Sequence, residues 1–287
     1  MAFLDQVGVR CNFPPPGTPV DCAFSGGADS TSLLVLAKRH GLIVTAHHVD
    51  HGLRPSSVVE AQQAGALAHQ LTIEFRLYSA TVGAGANLEA RAREARRRVM
   101  PANAMTGHTA DDQAETVLMR LLRGSGMDGL SAMTPGRTHP ILALRRFETE
   151  QVCQVSGLTP VSDPTNDSAT IWRNRVRTEL LPLAGEIFQR DVVPILTRTA
   201  DVLRDDAALL DELAAALDPT DAQAIAAAPL PLARRAVRRW LTVGGYPPDA
   251  AAVERVLAVA RGHQVACEIS PRIRVQRTQQ RLRIEPT

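Results

Sequence analysis

Ser25-Gly26-Gly27-Ala28-Asp29-Ser30 puts two glycines, two hydroxyls and a carboxylate into six consecutive positions. Glycines let a backbone approach a ligand closely. Hydroxyls and free N–H groups at a helix start hold an anion such as phosphate. A carboxylate beside such a nest repels its anion unless a cation lies between them, so Asp29 points to magnesium. A second group of chemical residues is His108-Thr109-Ala110-Asp111-Asp112-Gln113-Ala114-Glu115-Thr116. On a helix, Asp112 and Glu115 share a face, and Asp111 and Glu115 are neighbours one turn apart. Carboxylates at a helix start gain from the dipole. Three crowded together exceed what capping needs and suit a divalent ion or a cationic substrate. The third group is Trp172-Arg173-Asn174-Arg175-Val176-Arg177, three guanidiniums in six residues.

The elements that must position these groups follow from the flanking pattern. Val20 to Phe24 is a short apolar run, as in a buried strand. Leu33, Leu34, Leu36 and Ala37 then give a helix one apolar face, and Gly41 stops it. The glycine loop is therefore a strand-to-helix turn. It lacks the lysine of G-x-x-x-x-G-K-[ST], so it is not that phosphate loop. A second strand, Leu42 to Val49, ends in His47-His48-Val49-Asp50-His51-Gly52. We read this as a strand end at the rim of a parallel sheet, with Asp50 near a nucleoside, in preference to a metal cluster. Ser57 caps a helix running to about Gln70, Thr72 to Leu77 is a third strand, and Asn87 caps a helix carrying Arg91, Arg93, Arg96, Arg97 and Arg98. Ala104 to Gly107 and Ile141 to Leu144 complete the sheet as fourth and fifth strands. Arg145 to Val155 reads as a helix, and Met1 to Thr18 as a fixed arm.

Composition sets the outer limits. The chain has 287 residues, 45% of them hydrophobic, and a mean hydropathy of −0.08. This describes a globular protein of about two domains. The sequence has no apolar run of membrane-spanning length and no secretory leader pattern. Cys11, Cys22, Cys153 and Cys267 share no C-x-x-C spacing, so they read as reduced thiols in the cytoplasm. Net charge is only +2, but it is unevenly spread. Residues 185–233 hold 3 Arg against 9 Asp+Glu, and residues 234–287 hold 11 Arg against 4. A basic tail is the electrostatic footprint of a nucleic-acid binder.

The loop Ser25 to Ser30 resembles the motif of the PP-loop ATP pyrophosphatases, which cleave ATP between the α and β phosphates. His-x-x-Asp-Asp-Gln-x-Glu-Thr, then Leu-Arg-Gly-Ser-Gly, narrows the resemblance to the tRNA(Ile)-lysidine synthetase family. Asn87-Leu88-Glu89-Ala90, Asp163-Pro164-Thr165-Asn166 and Arg173-Asn174-Arg175-Val176-Arg177 follow the same family pattern, in order, across roughly residues 20–185. Arg97 stands where that family often has tyrosine.

The resemblance implies an α/β fold: a doubly wound, mostly parallel Rossmann-like PP-loop domain over residues 1–184. A small, mainly helical α+β domain would follow over residues 185–287. It implies ATP and Mg2+ as cofactors, and as partners L-lysine and a tRNA(Ile) with a CAU anticodon. A homodimer is compatible with it. ATP would lie on Ser25, Gly26, Gly27, Ala28, Asp29, Ser30, Asp50 and His108, with metal on Asp29 and Asp112. Asp111, Asp112, Glu115 and Arg93 would be catalytic, and Arg123, Arg173, Asn174, Arg175 and Arg177 would meet RNA. Competing readings are another ligase on the same loop, which would need a glutaminase domain or ammonia channel, a sulfur-transferring enzyme, which would want paired cysteines, and an RNA-binding protein with an inactive ATP site.

Overall fold

In the computed structural model, the described residues are 2–50, 57–80, 91, 95, 98–161, 172–242, 247–271 and 273–286. The chain divides into two compact units, Met1–Ala200 and Asp201–Thr287.

The first unit is built on a parallel sheet. Strands β1 (Pro19–Ala23), β2 (Ile43–Asp50) and β3 (Glu74–Ser79) lie in that order, all parallel. The register pairs Cys22 with Ala46, and Ala46 with Phe75. The crossovers are helices α2 (Ala28–Arg39) and α3 (Ser57–Gln70). Parallel strands need such crossovers, and strands added in one direction by right-handed crossovers carry both helices on the same face of the sheet. Leu33 and Leu34 are fully buried beside Cys22 and Ala46. His47 ties three strands together: its Nε2 lies 2.7 Å from Asp21 Oδ1 and its Nδ1 3.0 Å from Tyr78 Oη.

The expected fourth strand is reduced to one parallel bridge between Met105 and Cys22. The expected fifth strand does not form. Ile141, Leu142 and Leu144 are buried as expected, but their backbone turns on itself, with Leu144 N–H donating to Ile141 O at 2.9 Å. A short apolar run fits a buried turn as well as a buried strand, and Pro140 has no N–H to give a ladder. The N-terminal segment is also more than an arm. Its residues Ala2–Gly8 form helix α1, and Val7 is buried in the sheet core with Phe3 and Leu4 packed alongside.

Three helical segments complete the setting of the site. Helix α4 (Ala110–Leu122) starts just after the Met105 bridge. Helix α5 (Arg146–Val155) packs on α2, bringing Cys153 Sγ 3.4 Å from Ala28 O. Helix α6 (Trp172–Arg175) runs through a π-helical turn, Val176–Leu180, into α7 (Leu181–Phe188). Pro182 explains the turn. Proline lacks the N–H of a regular helix bond and crowds the preceding turn, which a wider π turn relieves.

Helix α8 (Val193–Ala215) continues into the second unit. There α9 (Ala222–Ala227), α10 (Leu230–Leu241) and α11 (Ala250–Ala260) pack against an antiparallel sheet of β4 (Ala266–Ser270), β5 (Ile273–Thr278) and β6 (Arg281–Pro286). Its core includes Ile225, Val237, Val256, Leu257, Val275 and Leu282.

Candidate active site

The glycine loop leaves β1 at the C-terminal edge of the sheet, where doubly wound folds bind ligands. Gly26 has φ +87°, a conformation side chains resist, and a Cβ there would meet Val161 Cγ2 at 2.8 Å. The loop hydroxyls hold one another. Ser25 Oγ lies 3.1 Å from Ser30 Oγ, and Ser30 Oγ donates to Gly27 O at 3.0 Å. Gly27 caps α2 without a side chain, so the first amides of the helix face the loop. The backbone of Gly107 passes directly under this start: a Cβ there would lie 2.8 Å from the Asp29 carbonyl carbon.

A cavity of about 270 Å³ opens beside the loop. Ser25, Asp29 and Ser30 line it from the loop, His47, His48 and Val49 from β2, and His108 and Asp112 from the opposite side. Asp50 ends β2 one residue beyond this lining, its carbonyl accepting from Ala80 N–H at 2.8 Å. His108 is held by Thr106, whose Oγ1 is 2.7 Å from the Nδ1 of both His108 and His139.

The start of α4 carries the acids. Thr109 is the N-cap, and its N–H and Oγ1 donate to Asp112 Oδ2 at 2.9 and 3.0 Å. Glu115 is fully buried. Around these two carboxylates stand three guanidiniums. Arg146 Nη2 reaches Asp112 at 3.2 Å and Glu115 at 3.3 Å. Arg173 Nε reaches Glu115 at 2.7 Å, and its Nη2 reaches Asp112 at 3.1 Å. Arg177 Nε reaches Glu115 at 2.7 Å. Burial pulls the Asp112 carboxyl up, but Arg173, Arg146 and the Thr109 amide outweigh it and leave it below the usual range.

Asp29 is balanced differently. Burial is the largest influence and pushes its pKa up to about 6. The Thr149 hydroxyl bond opposes this, the Asp112 charge adds to it, and Arg146 and Arg177 oppose it again. Asp29 and Asp112 thus repel each other across one cavity, which a divalent ion between them would relieve. No group of three or more metal-ligating side chains gathers among the described residues. Two carboxylates, with phosphate oxygens and water, suit Mg2+, which is usually held in this way.

Asp111 points elsewhere. It accepts from Arg145 Nε at 3.0 Å and from the Arg146 N–H at 2.8 Å. Asp111 and Glu115 line a second cavity of about 300 Å³, with Arg145, Arg146, Arg177 and Asp191. Arg146 therefore borders this cavity while its Nε stands 3.7 Å from Asp29, which lines the first.

The structure brings Ser25, Asp29, Ser30, His108 and Asp112 to one cavity and Asp111 and Glu115 to the other. Arg173 and Arg177, expected at RNA, hold the acids. Arg175 pairs with Glu179 on the surface, and Asn174 is buried. Arg123 follows α4 and lines an apolar groove with Trp172 and Arg175. Arg93 lies outside the described residues, as do the Asp163–Asn166 segment and His51. Arg145, Arg146 and Thr149 escaped the sequence reading. Their signal was present: two arginines at a helix start oppose its dipole, so they need partners elsewhere.

Comparison with known proteins gives the same picture. A family model described as a PP-loop domain matches residues 14–184. A tRNA(Ile)-lysidine synthase of Nocardia farcinica is 43% identical over 82% of this chain and 79% of its own. One of Mycolicibacterium paratuberculosis is 41% identical over 78% and 74%, and one of Gloeobacter violaceus 36% over 85% and 83%. The U34-tRNA thiolase NcsA of Methanococcus maripaludis shares the fold, with a TM-score of 0.56 at 14% identity over 70% of this chain and 80% of that one. With this loop, this acidic helix and these relatives, the chain belongs to the tRNA(Ile)-lysidine synthase family of PP-loop proteins.

Proposed function

We propose that this protein joins lysine to C2 of the wobble cytidine of a tRNA(Ile) with a CAU anticodon, spending ATP to AMP and pyrophosphate. The observation that supports this most is the pair of cavities flanking the start of α4, one beside the phosphate loop and one lined by Asp111 and Glu115.

The reaction divides into two displacements. The C2 oxygen of the cytidine attacks the α phosphorus of ATP, the bond to the bridging β oxygen breaks, and pyrophosphate leaves. Lysine's amine then attacks C2, the C2–O bond breaks, and AMP leaves. In the first step Ser25, Ser30 and the amides of α2 hold the phosphates, and His108 and Asp50 stand toward the nucleoside. Mg2+, held by Asp29 and Asp112, would neutralise phosphate charge. In the second step Asp111 and Glu115 bind the lysine and Glu115 takes the proton its amine must lose. Arg145 borders the same cavity, and together with Arg93 it is a candidate to meet the lysine carboxylate.

The wobble base is unpaired in its loop, so unstacking it costs little. Arg123 and Arg175 are exposed and would meet it, with Arg173, Asn174 and Arg177 placing that segment. Residues 1–184 would carry the chemistry, and residues 185–287, with arginines such as Arg238, Arg239 and Arg283, would grip the tRNA backbone. Among the described residues no helix is long and apolar enough to cross a membrane, and the four cysteines are free. A tRNA substrate supports a cytoplasmic enzyme, and a homodimer is compatible with it.

The test is incorporation of labelled lysine into a tRNA(Ile) transcript with a CAU anticodon, given ATP and Mg2+, beside a methionine tRNA with the same anticodon. Label in the isoleucine tRNA alone is expected. Label in neither, with ATP still cleaved to AMP and pyrophosphate, would overturn the acceptor.

A further inference from the structure

We infer that Arg146 is a movable counter-charge that stands between Asp29 and Asp112 where the divalent cation would bind, and passes to the nucleotide phosphates when ATP and the metal bind. This rests on the reading above of Asp29 and Asp112 as metal ligands. Arg146 is the guanidinium that bridges the two carboxylate groups. Its Nε lies 3.7 Å from Asp29 Oδ2, and its Nη2 lies 3.2 Å from Asp112 Oδ1. Among the described residues it is the one guanidinium within ion-pair distance of Asp29. Asp112 and Glu115 keep Arg173 and Arg177 when Arg146 leaves, so its departure strands neither acid. Among the described residues, Asp29 then faces Asp112 across the cavity with no guanidinium within ion-pair distance of it.

Two like charges cannot share that space with nothing between them. A guanidinium and a metal ion cannot both occupy it. Binding of one therefore opposes binding of the other, and by linkage the effect is reciprocal. The released guanidinium has an acceptor at hand. Arg146 starts α5, which packs on the phosphate-loop helix α2, and planar guanidinium suits phosphate oxygens. Its side chain is partly exposed, 23%, so the guanidinium can move without displacing buried apolar side chains. In the nucleotide complex Arg146 thus becomes a phosphate ligand and a catalytic residue.

The experiment is Mn2+ binding followed by electron paramagnetic resonance on the full chain, first with no nucleotide and then with α,β-methylene-ATP. The wild type should bind Mn2+ weakly alone and tightly with the analogue. Arg146→Gln should bind Mn2+ alone about tenfold tighter or more, the size of an ordinary coupling, and should bind the analogue more weakly. Arg146→Lys keeps a charge but cannot bridge both carboxylates, so it should fall between them. It also serves if the glutamine variant does not fold. Mn2+ affinity of either folded variant equal to wild type without nucleotide would overturn the inference. Wild type that binds no Mn2+ even with the analogue would remove the metal ligands themselves and the inference with them. Lysine incorporation assayed in parallel separates either failure from failure of the proposed reaction.

Discussion

Glu115→Gln is the most informative perturbation of the folded site. Glu115 is fully buried and meets three arginines, two of them through Nε bonds of 2.7 Å. Hydrogen bonds to charged groups contribute about 1.5–3 kcal/mol each. Breaking one side of a buried ion pair costs about 3–5 kcal/mol, because the partner's charge is left uncompensated. Here the partners are 23% to 30% exposed and retain Asp112, which lowers the cost. We expect about 3 kcal/mol. Glutamine keeps the volume and one acceptor, so the loss reports charge and not a cavity. Urea unfolding of the full chain measures it. A Trp240→Phe background leaves Trp172 as the tryptophan, and Trp172 lies in the Met1–Ala200 unit. A loss under about 1 kcal/mol would mean that the three guanidiniums are solvated well enough to do without Glu115, and the reasoning fails. A cycle with Arg177→Gln should return a coupling of about 1–3 kcal/mol.

The remaining predictions concern the cavities. Asp29 carries a folded-state pKa of about 6, raised by burial above the ordinary carboxyl value of 3.8. The folded protein then binds that proton more tightly, so the stability it contributes is present below about 3.8 and is lost as pH rises through about 6. Nucleotide-free Asp29→Asn should therefore gain on wild type between pH 4.5 and 7.5 by at most about 3 kcal/mol, read by urea unfolding at both pH values. No gain would show that the Arg146 and Thr149 contacts outweigh burial. Asp112→Asn should abolish pyrophosphate release, whereas Asp111→Asn, outside the nucleotide cavity, should keep release and lose lysine incorporation. Both losing release alike would merge the two roles. Gly107→Ala would put a Cβ 2.8 Å from the Asp29 carbonyl carbon. It should cost about 1–3 kcal/mol and weaken ATP binding, and a variant as stable as wild type would show that the strand end can yield.

How much of this was legible beforehand depends on the range of the interaction. The turn at Ser25 to Ser30 was legible because its causes are local: glycines for a tight approach, hydroxyls that bond within the loop, and an apolar strand and helix on either side. The acidic start of α4 was legible for the same reason, since helical spacing alone puts Asp112 and Glu115 on one face. The run Ile141 to Leu144 reads as a buried strand and is a buried turn, because hydrophobicity reports burial and not backbone direction. What the sequence could not show was which cations answer the acids. Thr149 meets Asp29 across 120 residues, and Arg146 and Arg173 meet Glu115 across 31 and 58. Those pairings follow from α5 packing on α2 and from the helix after Trp172 reaching α4. Charge attracts charge at any separation along the chain, so only the packing of the helices decided which pairs came within reach.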